Sequence, residues 1–389
     1  MKTKNLLGNV VFVSTYPPRE CGIATFTQDV LKAMVDNEQV SNAGVVAIDN
    51  EGLEYDEDVW VRISQHDRES YVEAAKKLND MDIDAIVIEH EFGIFGGEAG
   101  CFILDFIDNL DIPVITTFHT ILSTPSIEQR LVLKSIAKKS KAVVTMAVNT
   151  ISILSSVYGI PSQKVNVIPH GVPVIDTQDR TTLKKKHSLE GKKVISTFGL
   201  LSPGKGIEYG IKAMAKTAQE FENAVYLVLG ATHPGIKEKS GEEYRKKLMQ
   251  LAKDLGIEDK IIFVNQYFSK TQIVEYLQMS DIYLTPYLGK EQACSGTLAY
   301  AVGYGKAMVS TPYLYAKEIL ADGRGILVDF KSPDSIAKAL KRILKNPALQ
   351  VDMETRAIKY GRKMTWKNIS VLCSELLEEV AGVKVNVIV

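Results

Sequence analysis

Several features that would assign a function at once are missing from this sequence of 389 residues. Basic and acidic side chains are nearly balanced, 46 against 47, which argues against a nucleic-acid partner held by bulk positive charge. Cysteine is scarce, and Cys21, Cys101, Cys294 and Cys373 form no C-x-x-C pair. This pattern indicates reduced thiols rather than a disulfide framework or a zinc site.

Targeting and membrane signals are also missing. The first residues pass from a few polar side chains directly into the apolar run Asn9 to Thr15, without the charged, apolar and small-residue regions of a signal peptide. No apolar run reaches the roughly 18 to 20 residues that cross a bilayer. With 46% hydrophobic and 24% charged residues, the composition is typical of a globular enzyme. We therefore expect a cytoplasmic protein without a transmembrane segment.

What is present is a repeated pattern of short β-branched runs separated by helical periodicity. In the first half the runs are Val10 to Val13, Gly44 to Ile48, Ala85 to Ile88, Val114 to Thr117, Ala142 to Thr145 and Val165 to Ile168. In the second half they are Lys193 to Phe198, Ala224 to Leu229, Ile261 to Val264, Ile282 to Thr285, Ala307 to Ser310 and Gly325 to Val328. Buried parallel strands joined by helices give this pattern. Because one core stops growing at about 250 to 300 residues, an α/β protein of two doubly wound parallel-sheet domains is predicted.

The composition also suggests where the domains meet. We assign residues 1–171 to an N-terminal domain and residues 192–364 to a C-terminal domain. Residues 172–191 are predicted to be a linker, because Pro173, the polar run Asp176 to Arg180 and the basic run Lys184 to Lys186 show no apolar period. Residues 365–389 are predicted to form a C-terminal helix, opened by Trp366, that packs back toward the N-terminal domain.

The loop after the first strand is the first candidate for chemistry. It runs from Tyr16 to Thr25 and places Gly22 at a strand-to-helix turn. A glycine there lets the backbone approach a ligand, and the free N–H groups of the helix favour a phosphate. A tight turn braced by proline is an equally good interpretation of the same residues.

The second half contains two further loops of this kind. Phe198 to Ile207 links a strand to a helix and contains Gly199, Ser202 and Lys205. A lysine at this place supplies a point charge to a diphosphate, although a solvated surface lysine is the alternative.

The loop that follows the strand Ile282 to Thr285 opens a helix of small residues. Ser295, Gly296 and Thr297 would direct a hydroxyl and unpaired N–H groups toward an anion. Glu291 either accepts hydrogen bonds from sugar hydroxyls or is a surface carboxylate near a helix start.

Four motifs follow one another along nearly the whole chain. They are Y-P-P-x-x-x-G at Tyr16 to Gly22, I-P-H-G-V at Ile168 to Val172, L-S-P-x-K-G at Leu201 to Gly206 and G-K-A-M-V-S-T-P at Gly305 to Pro312. In this order they resemble the retaining glycosyltransferases of family 4, also called group 1. That resemblance implies the GT-B fold, in which two Rossmann-like domains face each other across a cleft.

The resemblance also implies the reaction. A hexosyl group, with mannose or glucose as leading candidates, would pass from a nucleotide-diphosphate sugar to a hydroxyl of a carbohydrate or glycoconjugate with retention of configuration. GDP-mannose and UDP-glucose are the leading donors, and no cofactor is implied. No D-x-D motif with metal-ligand surroundings is present, so we expect the reaction to need no metal. The oligomeric state is left open, a homo-oligomer included.

The predicted site combines positions carried over from the family with residues chosen from their place in the loops. Catalytic roles are predicted for Lys205, for Glu291 and for His119, which stands at the end of the strand that contains Val114 to Thr117, where the family places a histidine facing the donor sugar. Donor-binding roles fall to Gly22, Gly199, Ser202, Lys205, Gln292, Ser295, Gly296, Thr297 and Glu318. Contacts with the acceptor or the sugar are predicted for Arg19, His90 and Glu91, with a structural role for His90 nearly as well supported. His170 stands where the family more often has asparagine, and we interpret it as a brace of the turn.

One departure from the family concerns the cations that hold the diphosphate. The family's arginine after the strand-end glycine is Leu200 here, so only Lys205 of the pair is present. Either Arg19 or another group replaces the arginine, or diphosphate binding is weaker.

The second departure concerns two family glutamates separated by seven residues, which reach the donor sugar and the ribose. Their positions carry Gln292 and Tyr300. Glu291 lies one residue from the first position, and Glu318, which resembles a later family glutamate, is expected to take some of the second role.

These departures leave two alternatives open: a nucleotide-sugar-binding homologue without transfer activity, and a phosphorylase-like GT-B enzyme. A dinucleotide dehydrogenase is set aside, because neither half has G-x-G-x-x-G after its first strand.

Overall fold

The computed structural model describes residues 7–50 and 52–382. These residues divide into two compact units. The first unit takes the described residues up to Gly171 and from Trp366 onward, and the second unit is Val172–Thr365.

The first unit contains a sheet flanked by helices. Its strands are β1 (Leu7–Ser14), β2 (Val40–Asp49), β3 (Val59–Ser64), β4 (Ala85–His90), β5 (Val114–Phe118), β6 (Ala142–Thr145) and β7 (Val165–Val167). The helices in this stretch are α1 (Gly22–Asp36), α2 (Arg68–Asn79), α3 (Ile103–Asp108), α4 (Ile127–Lys139) and α5 (Ile151–Ser156). The strands pair in parallel in the order β3-β2-β1-β4-β5-β6-β7.

The second unit repeats this architecture. Its strands are β8 (Lys193–Phe198), β9 (Ala224–Leu229), β10 (Ile261–Val264), β11 (Ile282–Thr285), β12 (Ala307–Ser310) and β13 (Ile326–Leu327). Its helices are α6 (Arg180–Lys186), α7 (Ile207–Ala218), α8 (Pro234–Ser240), α9 (Glu243–Asp254), α10 (Lys270–Met279), α11 (Gly296–Gly303), α12 (Leu314–Ile319), α13 (Pro333–Lys345) and α14 (Pro347–Gly361). The strands pair in parallel in the order β10-β9-β8-β11-β12-β13.

The predicted fold class of two doubly wound parallel sheets is confirmed, and each predicted strand corresponds to an observed one. Strand β3 was not predicted, because its buried side chains alternate with exposed ones at the edge of the sheet. The ring of Trp60 in β3 occupies the place that a Cβ at Gly44 would fill.

The last helix, α15 (Trp366–Ala381), belongs to the first unit. It packs along α1, and the Trp366 ring meets the Phe26 ring edge-on at 5.3 Å between centroids. The Ser374 hydroxyl, which is buried, donates to Gln39 Oε1 at 3.1 Å. Residues 383–389, which the prediction includes in this segment, lie outside the described part of the chain.

Residues 172–191 were predicted to be a linker, but in the structure they are part of the second unit. Asp179 caps α6 by accepting a hydrogen bond from the Thr182 N–H. Leu183 and Leu189 are buried in an apolar cluster with residues of β8 and β9 such as Val194. Two isolated leucines are too sparse to show a helical period, which is why the sequence pattern indicated a linker.

A helix with the length and apolar character of a membrane span does not occur within residues 7–50 and 52–382.

Candidate active site

Each sheet has one place where the strand order reverses, and ligands of doubly wound folds bind beside such places at the carboxyl ends of the strands. In the second unit the reversal lies between β8 and β11. The loops that follow these two strands therefore border the candidate site. They contain most of the residues predicted to bind the donor.

The ends of β8 and β9 approach each other unusually closely beside this reversal. Gly199 has a φ of 126° and Gly230 a φ of 142°, values that favour glycine. A Cβ at Gly230 would collide with the carbonyl oxygen of Gly199. Both glycines are thus required for the path of the backbone around the candidate site.

Lys205 lies at the end of a single 3-10 turn, Pro203–Lys205, after β8. Its Nζ is 3.9 Å from the centroid of the Tyr287 ring, which follows β11. The two loops are tied by a hydrogen bond from the Leu288 N–H to the Gly204 carbonyl at 2.9 Å. Gly206, at a left-handed φ of 61°, completes the turn, because a Cβ there would collide with the Pro286 carbonyl oxygen.

Hydroxyl groups at the start of α11 face the same place. Ser295 caps the helix by accepting from the Leu298 N–H at 3.3 Å. The Thr297 hydroxyl lies 3.2 Å from Ser295 Oγ and 3.1 Å from the Tyr287 hydroxyl. A Cβ at Gly199 would lie 3.6 Å from Thr297 Cγ2 and 3.7 Å from Lys205 Nζ. Of the predicted donor-binding residues, the structure therefore brings Gly199, Lys205, Ser295 and Thr297 together, with Gly296 as the first residue of α11.

The other predicted residues of the second unit have supporting contacts. The Ser202 carbonyl accepts from the Lys205 N–H at 3.0 Å and so closes the lysine turn. The Gln292 side chain donates to the Cys294 carbonyl at 3.0 Å, inside its own loop. Glu291, also in this loop, and Glu318, in α12, are both half-buried.

The two departures from the family occupy different environments. Leu200, in place of the arginine, is half-buried directly after Gly199. Tyr300, in place of the second glutamate, is buried within α11. Neither position carries a charge that a donor could use.

In the first unit the strand order reverses between β1 and β4. Gly22 is the exposed first residue of α1, after Cys21, whose thiol accepts from the Ala24 N–H at 3.5 Å. The Arg19 guanidinium donates to the Ile48 carbonyl and to Gln65 Oε1, both at 3.3 Å. These neutral acceptors hold Arg19 within the first unit.

A buried contact between a histidine and a glutamate in the first unit was missed by the sequence analysis. His119 Nε2 lies 2.7 Å from Glu89 Oε2, and both side chains are almost fully buried. Glu89 belongs to β4, and His119 directly follows β5, its ring set edge-on to Phe26 at 4.9 Å. The carboxylate fixes the orientation of the imidazole, so Glu89 belongs to the candidate site through His119. The sequence signal was one glutamate, followed by His90, at the end of an otherwise apolar strand.

His90 does not have the exposure that a sugar contact requires, contrary to the prediction. It is fully buried among the rings of Phe92, Phe95 and Phe118, at centroid distances of 5.0, 5.8 and 5.3 Å. Neither ring nitrogen has a hydrogen-bond partner among the described residues. Burial lowers the pKa of His90 to about 3, so the ring is neutral and acts as an aromatic core residue.

Glu91 remains nearer the surface than His90. Its Oε2 accepts from the Thr120 hydroxyl at 2.5 Å, and its Oε1 accepts from the Phe92 N–H at 3.0 Å. Desolvation raises the pKa of Glu91 above its ordinary value. A carboxyl group that retains its proton more readily can donate as well as accept a hydrogen bond.

His170 is buried against Phe26 and Trp366, with Nδ1 2.7 Å from the Gly171 carbonyl oxygen. Burial lowers its pKa to about 4. These contacts are those of a brace within the first unit.

His233 was not among the predicted site residues, but the structure places it beside the loop that contains Lys205. It precedes α8 in the loop after β9, and its N–H donates to the Leu201 carbonyl at 2.9 Å. As for metals, residues 7–50 and 52–382 contain no group of three or more His, Cys, Asp or Glu side chains that could hold an ion.

Two family models match this chain in adjacent stretches. Residues 56–175 match Glycosyltransferase Family 4, and residues 179–364 match Glycosyl transferases group 1. The chain therefore belongs to the group 1, or family 4, glycosyltransferases, as its motifs predicted, and the predicted enzyme class is confirmed.

Individual relatives are distant. A D-inositol 3-phosphate glycosyltransferase of Corynebacterium glutamicum is 24% identical over 295 residues, which cover 69% of this chain and 67% of that protein. A GDP-mannose-dependent alpha-(1-6)-phosphatidylinositol monomannoside mannosyltransferase of Mycolicibacterium smegmatis is 23% identical over 228 residues, 56% of each protein.

A solved structure supports the fold. That of Anabaena Alr3699/HepE in complex with UDP and glucose has a TM-score of 0.76 and 15% identity, and the match covers 95% of this chain and 99% of that one. At this identity the similarity concerns the fold alone.

Proposed function

We propose that this protein transfers a hexosyl group, mannose or glucose, from a nucleoside-diphosphate sugar to a hydroxyl of a carbohydrate or glycoconjugate, with retention of configuration and without a metal. The observation that carries the proposal is the convergence of Gly199, Lys205, Ser295 and Thr297 beside the strand reversal of the second unit. These residues offer one cation, two hydroxyls and free backbone N–H groups to an anion.

The lysine has few competing partners for a phosphate. Its ammonium lies against the Tyr287 ring, a contact worth about 0.5 to 2 kcal/mol. A diphosphate would add charge-assisted hydrogen bonds, which are stronger than contacts between neutral groups. The N–H groups at the start of α11 supply further donors and a favourable dipole.

The same groups would assist bond breaking. When the bond between the sugar and the diphosphate lengthens, negative charge develops on the leaving phosphate oxygens. Fixed donors that meet this charge lower the barrier to the reaction. We assign this role to Lys205 and to the start of α11, and we assign acceptance of sugar hydroxyls to Glu291.

In the first unit we propose that His119 faces the donor sugar and that Glu91 and Arg19 contact the acceptor. Glu89 holds the His119 ring in one orientation through their contact at 2.7 Å. His90, being enclosed by aromatic rings, has no part in this proposal.

The choice of donor rests on the relatives. The Anabaena structure contains UDP and glucose, and the mycobacterial relative is named as GDP-mannose-dependent. UDP-glucose and GDP-mannose are therefore the first donors to test. Both named relatives act on inositol-containing acceptors, so inositol phosphates belong in the acceptor panel.

The test is a binding and turnover screen with EDTA present. Purified protein is titrated with UDP, GDP and their glucose and mannose conjugates, and release of nucleoside diphosphate is then followed with each acceptor. Lys205→Ala should lower kcat/KM about 100-fold, the usual cost of removing one donor to a developing oxyanion. Lys212→Ala, which removes an exposed lysine from α7, is the matched control. Absence of binding by every nucleotide would refute the proposal.

A second candidate is a nucleotide-sugar-binding protein without transfer activity. It is favoured by the buried Tyr300, which cannot accept two ribose hydroxyls as a carboxylate does. Tight donor binding with neither transfer nor hydrolysis would establish this second function.

A further inference from the structure

We propose that the His233 ring supplies a second hydrogen-bond contact to the donor diphosphate, in place of the arginine that Leu200 has replaced. This inference rests on the proposed function of the second unit. The second residue that contacts the diphosphate would then lie in the loop after β9 and not in the loop after β8.

The backbone fixes His233 beside the candidate site. Leu201 and Thr232 form a parallel bridge, in which the Leu201 N–H donates to the Ala231 carbonyl at 2.8 Å. The His233 N–H then donates to the Leu201 carbonyl at 2.9 Å. His233 is thus hydrogen-bonded to Leu201, which lies two residues after Gly199 in the loop that continues to Lys205.

The orientation of the imidazole leaves a donor available. Nδ1 accepts a hydrogen bond from the Gly235 N–H at 3.2 Å and so caps the first turn of α8. Since Nδ1 acts as the acceptor, the proton of the neutral ring lies on Nε2. The side chain is exposed, so Nε2–H can donate to a phosphate oxygen, and a protonated ring would add a charge.

The electrostatic surroundings of His233 favour an anion there. Partial burial, and after it the positive charge of Lys205, lowers the pKa of His233. The two side chains therefore repel each other when both are charged. A diphosphate that contacted both would offset this repulsion.

A further cation, Arg245, supports the loop after β9. The buried Arg245 guanidinium donates to the Gly230 carbonyl at 2.6 Å and contacts Glu242 at 3.2 Å. Glu242 also accepts from the Thr232 hydroxyl at 2.5 Å. These bonds hold the loop that carries His233.

The decisive variant is His233→Asn. Asparagine is among the best helix caps, so the hydrogen bond to the Gly235 N–H is kept. The ring Nε2–H and its potential charge are lost. Lys239→Ala, which removes an exposed charge from α8, controls for a general loss of positive charge, and thermal denaturation reports that each variant is folded.

The measurement is calorimetric affinity for UDP and GDP, with affinity for uridine and guanosine followed by NMR. We expect His233→Asn to weaken binding of the diphosphate that the wild type prefers by at least about fivefold, as loss of a hydrogen bond to a charged group does. The free nucleoside should bind as before, and Lys239→Ala should change diphosphate affinity by less than about twofold.

The other possible outcomes would refute either the role of His233 or the proposed function. Equal diphosphate affinity of His233→Asn and wild type would refute the role of His233 and leave the proposed function standing. An equal loss of nucleoside and diphosphate affinity would show a structural role and refute the phosphate contact. No diphosphate binding by the wild type would refute the proposed function and this inference with it.

Discussion

Lys306 offers a direct measurement of how the second unit accommodates a buried charge. The residue precedes β12 and is almost fully buried, with Nζ 3.3 Å from the Gln278 carbonyl oxygen and 3.2 Å from that of Ser280. Burial, and after it the charge of Arg180, lowers the pKa of Lys306 from 10.5 to about 7. The folded protein therefore binds this proton much less tightly than the unfolded chain does.

The sign of the effect on stability follows from this difference. Above pH 10.5 neither state carries the proton, and Lys306 costs nothing. As pH falls from 10.5 toward 7, the unfolded chain becomes protonated first, so stability is lost by about 1.4 kcal/mol for each pH unit. Below pH 7 both states are protonated and the loss stays constant at about 5 kcal/mol, an order-of-magnitude figure.

The assay is denaturant unfolding of wild type and Lys306→Met between about pH 7 and 9, an interval in which the Lys306 contribution changes by about 2 to 3 kcal/mol. The wild type should become more stable relative to Lys306→Met as pH rises. Because methionine leaves the two carbonyls without a donor, the comparison uses the slope with pH and not the absolute stability. Lys317→Met, at an exposed site in α12, measures the slope change caused by removing a surface charge. Parallel slopes for wild type and Lys306→Met would refute the reasoning.

Two further changes test the candidate site. Glu89→Gln keeps a polar group beside His119 but removes its charge, so we expect kcat for transfer to fall about tenfold or more and its pH profile to shift, while calorimetric affinity for the nucleoside diphosphate stays unchanged. A fall in both quantities, or an unmoved pH profile, would contradict a positioning role. Gly206→Ala adds a Cβ at a left-handed φ against a backbone carbonyl, and we expect it to lower the unfolding free energy by about 1 to 3 kcal/mol and to weaken donor binding. Gly256→Ala, at a φ of 65° just after α9 with no atom within 4 Å of the added Cβ, separates backbone strain from the collision, and equal losses in the two variants would show that the collision is unimportant.

The parallel strands were predictable because strands buried on both faces are continuous apolar runs, which few other elements produce at that length. Strand β3 was not, since only two of its six side chains are buried and its pattern is weak. Residues 172–191 were misassigned for a related reason. Helix α6 is anchored by Leu183, and Leu189 follows beyond its end, so their burial depends in part on partners in β9 and α10 that are distant in sequence.

Some residues of the candidate site could also be predicted from the sequence, and others could not. Lys205, Ser295 and Thr297 were predictable because they follow strands, and the carboxyl ends of strands meet at one edge of a parallel sheet. The same rule misplaced His90, because successive side chains of a strand point to opposite faces, and position at a strand end does not reveal which face is covered by aromatic rings. Glu89 could not be predicted, since its partner His119 is 30 residues away and only the pairing of β4 with β5 brings them together.

The two departures from the family have different consequences for the donor. Loss of the arginine at Leu200, a half-buried position, removes a charge from the loop after β8, and we propose that His233 on the neighbouring loop supplies a replacement contact. Tyr300 is different, because it is buried within α11. A carboxylate there would have to pay for desolvation unless it were paired, so the surrounding packing has adapted to the tyrosine. Under the proposed function, recognition of the ribose would come from a group outside α11, and Glu318, half-buried in α12, is the carboxylate that we expect to take part of that role.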